Sequence, residues 1–563
     1  MANRYWVGGT ANWDATAGTK WATTSGGGGG AAVPGTGDDV FFDANSGAVT
    51  VTITANGSCN NLDFTGFTGT FAGSSTIANI RGNVTIASGM TWTHTGNLNF
   101  NSTTSTFNIT SNGKAITSPL IFNGIGGTWS FADDFSSTGR ITITAGTVTA
   151  NNKNITCGGI SMANNTNVRS LTMGSGTWNV THTISFSGST NYSCSCAGTN
   201  IYCNYSAMSF QTIASYNYGC NVYYTGSGTF TFNTGTGILG NVYIQSGTGF
   251  SSAVNVQLAN LDFTGFTGSW TGSTNFKMSG NLVLNSSMSI STTATLTNNT
   301  VVNSTHTYTF NGATNVGISI SDSAGSTSSL ADDFNIGNTF TFSVSGTFDT
   351  NNKNVTCGLF ISSSAFTGGS SVFYITGTGG TTSTFSHNSA SFSGASMIIK
   401  FTNTSTGTTS CNIVGGTHTV GTVWFDRGAS TGDCAMTGNS ITTISVLKDT
   451  CTVAHNLYFR SGAVFYVGDW QITGTSGNVV TIGSCGSAGV VNVSTHTLGY
   501  VGAGTVSCDY MNIQHSIATP ASTWYAGTHS TDNQAVVNAG SGWIFTAPPV
   551  ASAIRLLALL GVG

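Results

Sequence analysis

The chain has 563 residues, only 6% of them charged, and all 18 of its acidic residues are aspartate; lysine and arginine together number 14, for a formal net charge of −4. A helical domain of this size would need Glu, Lys and Arg to cover its solvent faces, and a nucleic-acid groove would need clustered basic residues for phosphate, so both are excluded. Thr, Ser and Asn must supply the polar surface instead, and they favour strands and turns.

Taken in chain order, the first segment, residues 1–45, carries Trp6, Trp13 and Trp21, the loop Gly26–Gly30, and the phrase Gly37-Asp38-Asp39-Val40-Phe41-Phe42-Asp43. It reads as an N-terminal cap or attachment region. The glycine loop lacks the Lys-Ser/Thr of a phosphate loop. Asp38, Asp39 and Asp43 offer oxygens to calcium, but their spacing is loose and no repeated Gly-Asp array accompanies them. The opening MANRYWVGGTANW has no apolar run of the kind found in a secretory leader, so none is expected.

Two long blocks follow, 46–259 and 260–507. NLDFTGFTG at Asn61–Gly69 recurs at Asn260–Gly268, and Phe131-Ala132-Asp133-Asp134-Phe135 recurs as Leu330-Ala331-Asp332-Asp333-Phe334, both 199 residues on. NNKNITCG at Asn151–Gly158 returns 200 residues on as NNKNVTCG at Asn351–Gly358. One residue has therefore been inserted between the last two matches, near Ser345. A slip inside a strand would turn every later side chain to the other face, so a corner is expected there. Within the blocks, short phrases such as Gly82-Asn83-Val84-Thr85-Ile86 and Gly240-Asn241-Val242-Tyr243-Ile244 combine a Gly-Asn corner with alternating apolar residues. No proline lies between Pro119 and Pro520, which suits uninterrupted ladders. Residues 508–547 read as closing turns. An apolar tail, 548–563, is expected to form a short helix or docking strand and is too short to span a membrane.

These patterns predict an all-β fold: a right-handed parallel β-helix (β-solenoid) with distinct N- and C-terminal caps. At roughly 20–25 residues per turn and about 4.8 Å per turn, about 20 turns would give a rod on the order of 100 Å long. Tandem β-sandwich domains are the alternative, but no convincing linkers separate the blocks.

The opening text, RYWVGGTANWDATAGTKW followed by GDDVFFD, resembles the start of a group of predicted β-helix proteins common in genomes of uncultured tailed phages and some environmental bacteria. The closing text, Trp524-Tyr525-Ala526-Gly527 through Gly542-Trp543-Ile544-Phe545, is similar to the same group. The resemblance implies a virion fibre, spike or decoration protein and brings no catalytic residues with it.

Candidate sites are sparse. The doublets Asp133/Asp134 and Asp332/Asp333 cannot each form a glycosidase pair, because neighbours on a strand point to opposite faces; turn capping is expected instead. Cys194, Cys196, Cys203 and Cys220 lack the spacing of zinc knuckles, so a disulfide or plain packing is expected. His94, His182, His306 and His496 each sit between two threonines and are expected at surface or corner positions. Tyr192, Tyr202, Tyr205, Tyr216, Tyr218, Tyr223 and Tyr224 crowd one segment and could offer stacking surfaces to sugars or a protein partner. No catalytic residues, metal or cofactor are expected.

The functional expectation is a structural component of a phage virion, an elongated fibre, spike or capsid-surface appendage contacting the host surface or its glycans. Its partners would be other virion proteins and a host glycan or receptor, with a homo-oligomer, by analogy a trimer, and neither nucleic acid nor a membrane span. A tailspike polysaccharide depolymerase and a secreted bacterial adhesin are the alternatives.

Overall fold

Alternation of apolar and polar residues turns one face of each short strand inward. Ile201, Val222, Val242, Leu261 and Leu282 are each paired with the next across adjacent strands. All five are fully buried. Each such side chain contributes about 1.5–3 kcal/mol by leaving water, and the column grows by one residue per turn. In the computed structural model the chain is a parallel β-solenoid of about 20 turns with no α-helix among the described residues. The structure describes every residue except 14–17, 187–190, 206, 211–217, 235–237, 253–255, 273–275, 292–294, 299–304, 315–318, 323, 338, 343–345, 378–382, 405, 488–490, 493, 534–539 and 550–563. The expected insertion near Ser345 and the tail beyond Val550 lie outside the described residues.

Among the described strands, pairing is parallel except where Asn3–Trp6 meets Trp21–Ala22 and where Val480–Cys485 meets Val491–Asn492. Strands partner their counterparts in the next turn, so side chains meet partners about one turn away, as across the 17 residues between Thr350 and Thr367 and the 31 between Asn512 and Thr481. The antiparallel pairing of a β-sandwich is therefore ruled out.

The chain divides into two compact units, Met1–Val301 with Thr309–Ala313, and Val302–Tyr308 with Thr314–Gly563. In the first, the Trp21–Ala22 strand folds back on Asn3–Trp6 and encloses an aromatic cluster. Trp21 meets Trp6 and Trp13 edge-on, each with ring centroids 5.0 Å apart, and Phe42 packs beneath. The indole N–H of Trp21 donates to the Trp13 carbonyl at 3.2 Å, and that of Trp6 to the Gly9 carbonyl at 3.0 Å. In the second unit, Trp470, Trp524 and Trp543 form a comparable cluster near the chain's end, with centroids 5.0 to 5.2 Å apart along the two close contacts.

Corners are built from asparagine and aspartate. Asn151, Asn152, Asn351 and Asn352 take φ between 49° and 60°, a left-handed conformation that asparagine tolerates better than most residues. At Gly82 a Cβ would sit 2.1 Å from the Asn61 side-chain oxygen, and at Gly280 it would sit 2.3 Å from that of Asn260. At these two Gly-Asn corners the glycine is thus dictated by the asparagine stacked below it, whereas at Gly240 the Cys220 carbonyl, 2.7 Å from a Cβ, imposes the same choice.

The histidines require a correction. His94, His306 and His496 are buried rather than at the surface. The flanking threonines face outward, so alternation drives the imidazole inward, where it needs a polar partner. His94 meets Ser118 Oγ at 2.8 Å and the Ser75 carbonyl at 2.9 Å, and His496 meets Ser484 Oγ at 2.8 Å. His182 alone of the four is exposed.

Candidate functional site

One outward face of the first unit carries two parallel side-chain columns. The phrase Asn-Ile/Val-Tyr occurs at Asn200–Tyr202, Asn221–Tyr223 and Asn241–Tyr243, and pairing sets each copy directly on the last. The asparagines hydrogen-bond up the stack: Asn221 Nδ2 donates to Asn200 Oδ1 at 2.9 Å, and Asn241 Nδ2 to Asn221 Oδ1 at 3.0 Å. Two residues on, the tyrosines form a ladder of half-buried rings. Tyr202 and Tyr223 stack at 4.6 Å and 12°, and Tyr223 and Tyr243 at 4.5 Å and 8°. Burial first, then the neighbouring Tyr243 and Tyr202, pushes the Tyr223 hydroxyl above the usual phenol range.

The ladder stops at Asp262, which pairs with Tyr243 one turn later. Aspartate is shorter than tyrosine, so the ring column ends in a step. A cleft of about 310 Å³ opens there, lined by Tyr223, Tyr243, Gln245, Asp262 and Thr264. Asp262 Oδ1 accepts the Thr264 N–H at 2.7 Å, which orients the carboxylate. Aromatic rings, a carboxylate, a primary amide and a hydroxyl thus converge on one recess. Stacked rings suit the apolar face of a pyranose, and the polar groups suit its hydroxyls. The volume lies at the lower end of small-ligand sites, roughly 300–1,000 Å³.

The sequence matches no protein family, and neither a curated protein nor a solved structure matches the chain.

Of the tyrosines singled out from the sequence, Tyr202 and Tyr223 belong to the ladder. Tyr205 is exposed and stacks on His182 at 5.8 Å. Tyr192 lies in a different sheet, half-buried, with its hydroxyl 2.5 Å from that of Tyr218. Tyr218 and Tyr224 correct the expectation of a contact surface, because both are fully buried. Tyr224 follows Tyr223 on one strand and so must face inward; its hydroxyl donates to the Gly228 carbonyl at 3.0 Å. Tyr216 lies outside the described residues. Tyr243, Asp262, Gln245 and Thr264 were missed. The signal for Tyr243 is the recurrence of Asn-Ile/Val-Tyr three times at turn spacing, which lies across turns and not in the local density of tyrosines.

The aspartates near other candidate sites are engaged in turns. Asp133 accepts the backbone N–H groups of Ser111 and Asn112, and Asp134 accepts those of the Asn154 backbone and side chain at 2.9 and 3.0 Å. These bonds to Asn154 hold the Asp134 carboxyl below the usual range. In the duplicate, Asp333 holds Asn354 the same way. Asp39 binds Asn60 and Asn61, and Asp43 caps the short 3-10 turn Ala44–Ser46. Cys194, Cys196, Cys203 and Cys220 are buried free thiols.

A second outward column lies in the other unit. Lys400, Trp424 and Lys448 pair in successive turns, and the two ammonium groups flank the indole at 3.7 and 4.3 Å from its centroid. Asp426 binds Lys400 at 2.8 Å and accepts from Thr450, which in turn accepts the Trp424 indole N–H. Each cation–π contact at such a site contributes about 0.5–1 kcal/mol. This column is closed by its own partners, whereas the tyrosine ladder ends at an open recess.

Proposed function

We propose that this chain is a non-enzymatic structural component of a tailed-phage particle, a fibre, spike or capsid-surface appendage, and that it contacts host-surface glycan. The observation that carries the contact role is the Tyr202–Tyr223–Tyr243 ladder ending at the Asp262 recess. A solenoid backbone fixes ring spacing through its own ladder of hydrogen bonds, so the rings need no reordering when a sugar docks. Such preorganisation lowers the entropic cost of binding. Assignment to a phage particle rests on the resemblance of the two chain ends, whose tryptophans build the two aromatic clusters.

The test is location. Immunogold labelling, or density assignment by cryo-electron microscopy, on particles purified from the source is expected to place the protein at the tail or capsid surface. Absence from particles, with the protein in the medium or on cell surfaces, would overturn the virion reading.

A further inference from the structure

Turns of a solenoid bring together residues far apart in sequence, and at one corner of the second unit this assembles a set of metal-binding donors. Cys434 lies on the strand Cys434–Met436, Cys451 in the corner after Ile441–Asp449, and His455 opens the strand His455–Arg460. The sulfur atoms of Cys434 and Cys451 and a ring nitrogen of His455 all lie within 4.8 Å of one another. In a tetrahedral thiolate–imidazole site the donor atoms stand roughly 3.5–3.8 Å apart, given metal–ligand distances of about 2.0–2.3 Å. Closing this set around an ion therefore needs only a small contraction.

The surroundings complete the arrangement. His455 Nδ1 is 2.9 Å from the Val453 carbonyl, the outer hydrogen bond that fixes a metal-binding imidazole's tautomer, so Nε2 is the nitrogen an ion would take up in exchange for its present hydrogen bond. His455 Nε2 is 2.6 Å from Asp449 Oδ2, and both side chains are nearly inaccessible to solvent. Asp449 Oδ1 accepts the Cys451 N–H at 2.8 Å, holding the carboxylate at the corner. On the far side the buried guanidinium of Arg427 places Nη1 3.6 Å from Cys434 Sγ, anchored by the Gly432 and Asp433 carbonyls and Ser430 Oγ. Cys451 is half-buried, which gives an ion a way in. The same contacts argue against a Cys-His-Asp nucleophile, because both ring nitrogens are already engaged and neither is turned on a thiol as base.

We propose that Cys434, Cys451 and His455 form the core of a tetrahedral site for a thiophilic divalent cation of the zinc class, with Asp449 moving from its hydrogen bond to Nε2 to supply the fourth ligand, tying successive turns of the solenoid together. On binding, each thiol loses its proton to solvent, Nε2 gives up its proton to solvent, and four metal–ligand bonds form. Two thiolates and a carboxylate balance the divalent ion and the Arg427 guanidinium, so the filled site is neutral, as a buried site requires.

The test is metal titration of the intact chain, purified under reducing, metal-depleted conditions. Zn²⁺ is expected to bind with one equivalent per chain, and Co²⁺ to give sulfur-to-metal charge-transfer absorption with the intense visible bands of tetrahedral coordination. Cys451→Ser, at the half-buried position where folding is least at risk, is expected to abolish both, and Asp449→Asn to weaken affinity at least about tenfold. Cys196→Ser, at a different cysteine cluster, is expected to keep the full equivalent, and circular dichroism verifies the fold of each variant. Failure of the reduced protein to take up either metal, octahedral cobalt spectra, or an undiminished equivalent in Cys451→Ser would each overturn the site. So would a Cys434–Cys451 disulfide in non-reduced peptide maps, together with no metal uptake after reduction.

Discussion

The nine-residue phrase Asn61–Gly69 and its copy Asn260–Gly268 fold the same way and present different surfaces. In both, the aspartate accepts the N–H two residues on at 2.7 Å, from Thr65 to Asp63 and from Thr264 to Asp262. In both, the first phenylalanine carbonyl accepts the second phenylalanine's N–H at 2.9 Å, and the glycine between them has φ of 84° or 86°. What differs is the turn before. Asp63 follows Phe41, which stacks on Tyr5 at 4.7 Å near the chain's beginning. Asp262 follows Tyr243, the last of three stacked tyrosines with hydroxyl groups. The repeated text thus specifies a corner and a carboxylate, while the neighbouring turn decides what that carboxylate faces. In a solenoid, surface chemistry is written across turns rather than along them.

The largest expected effect treats the copies alike. Phe64→Ala and Phe263→Ala each empty a fully buried ring position and are expected to cost about 3–5 kcal/mol locally, read as lost hydrogen-exchange protection in the adjoining turns. A marked asymmetry between them would break the structural equivalence. Next, Tyr243→Ala is expected to weaken glycan binding about two- to twelve-fold, since a ring stack contributes about 0.5–1.5 kcal/mol beyond its burial; Phe41→Ala should leave the titration unchanged. Asp262→Asn is expected to weaken binding several-fold, consistent with about 1.5–3 kcal/mol for a hydrogen bond to a charged group partly retained by the amide, whereas Asp63→Asn has no effect in the same assay.

The smallest effect separates the copies by pH. His94 packs on Phe71 at 5.1 Å just beyond the first copy, and the residue 199 positions later is Thr293. Burial lowers the His94 pKa from 6.5, partly offset by the Ser75 carbonyl. The unfolded chain takes up this proton near pH 6.5 and the folded chain does not, so the stabilisation is present above pH 6.5 and declines as pH falls below it. Hydrogen-exchange protection around Phe71 and Trp92 should fall on acidification, and His94→Gln should remove that dependence.

Much of the fold was legible because the period-2 alternation and the Gly-Asn corners are local signals. Asn83 and Asn281 announce corners, and Val84 and Leu282 announce inward positions, with no knowledge of the neighbouring turn. The candidate site was legible only in part. Tyr223 and Tyr224 are adjacent in sequence, yet one joins the ladder and the other the core, and only strand phase separates them. Tyr243 stood apart from the crowded tyrosines and was overlooked, although turn spacing places it directly on Tyr223. Cys434, Cys451 and His455 come from three different elements, and no local motif marks their meeting. His94 and His496 follow alternation rather than polarity into the interior, and a serine makes their burial tolerable, Ser118 in the next turn for His94 and Ser484 on the strand Val480–Cys485 for His496.

The claim that the tyrosine ladder and Asp262 recess form a glycan-contact surface is tested most directly by a glycan array probed with the intact chain and with the Tyr223→Ala/Tyr243→Ala double variant, both verified as folded by circular dichroism. The account predicts that the native chain binds a defined set of surface glycans and that the variant loses them. Undiminished binding by the variant, or no glycan bound by the native chain, would contradict it.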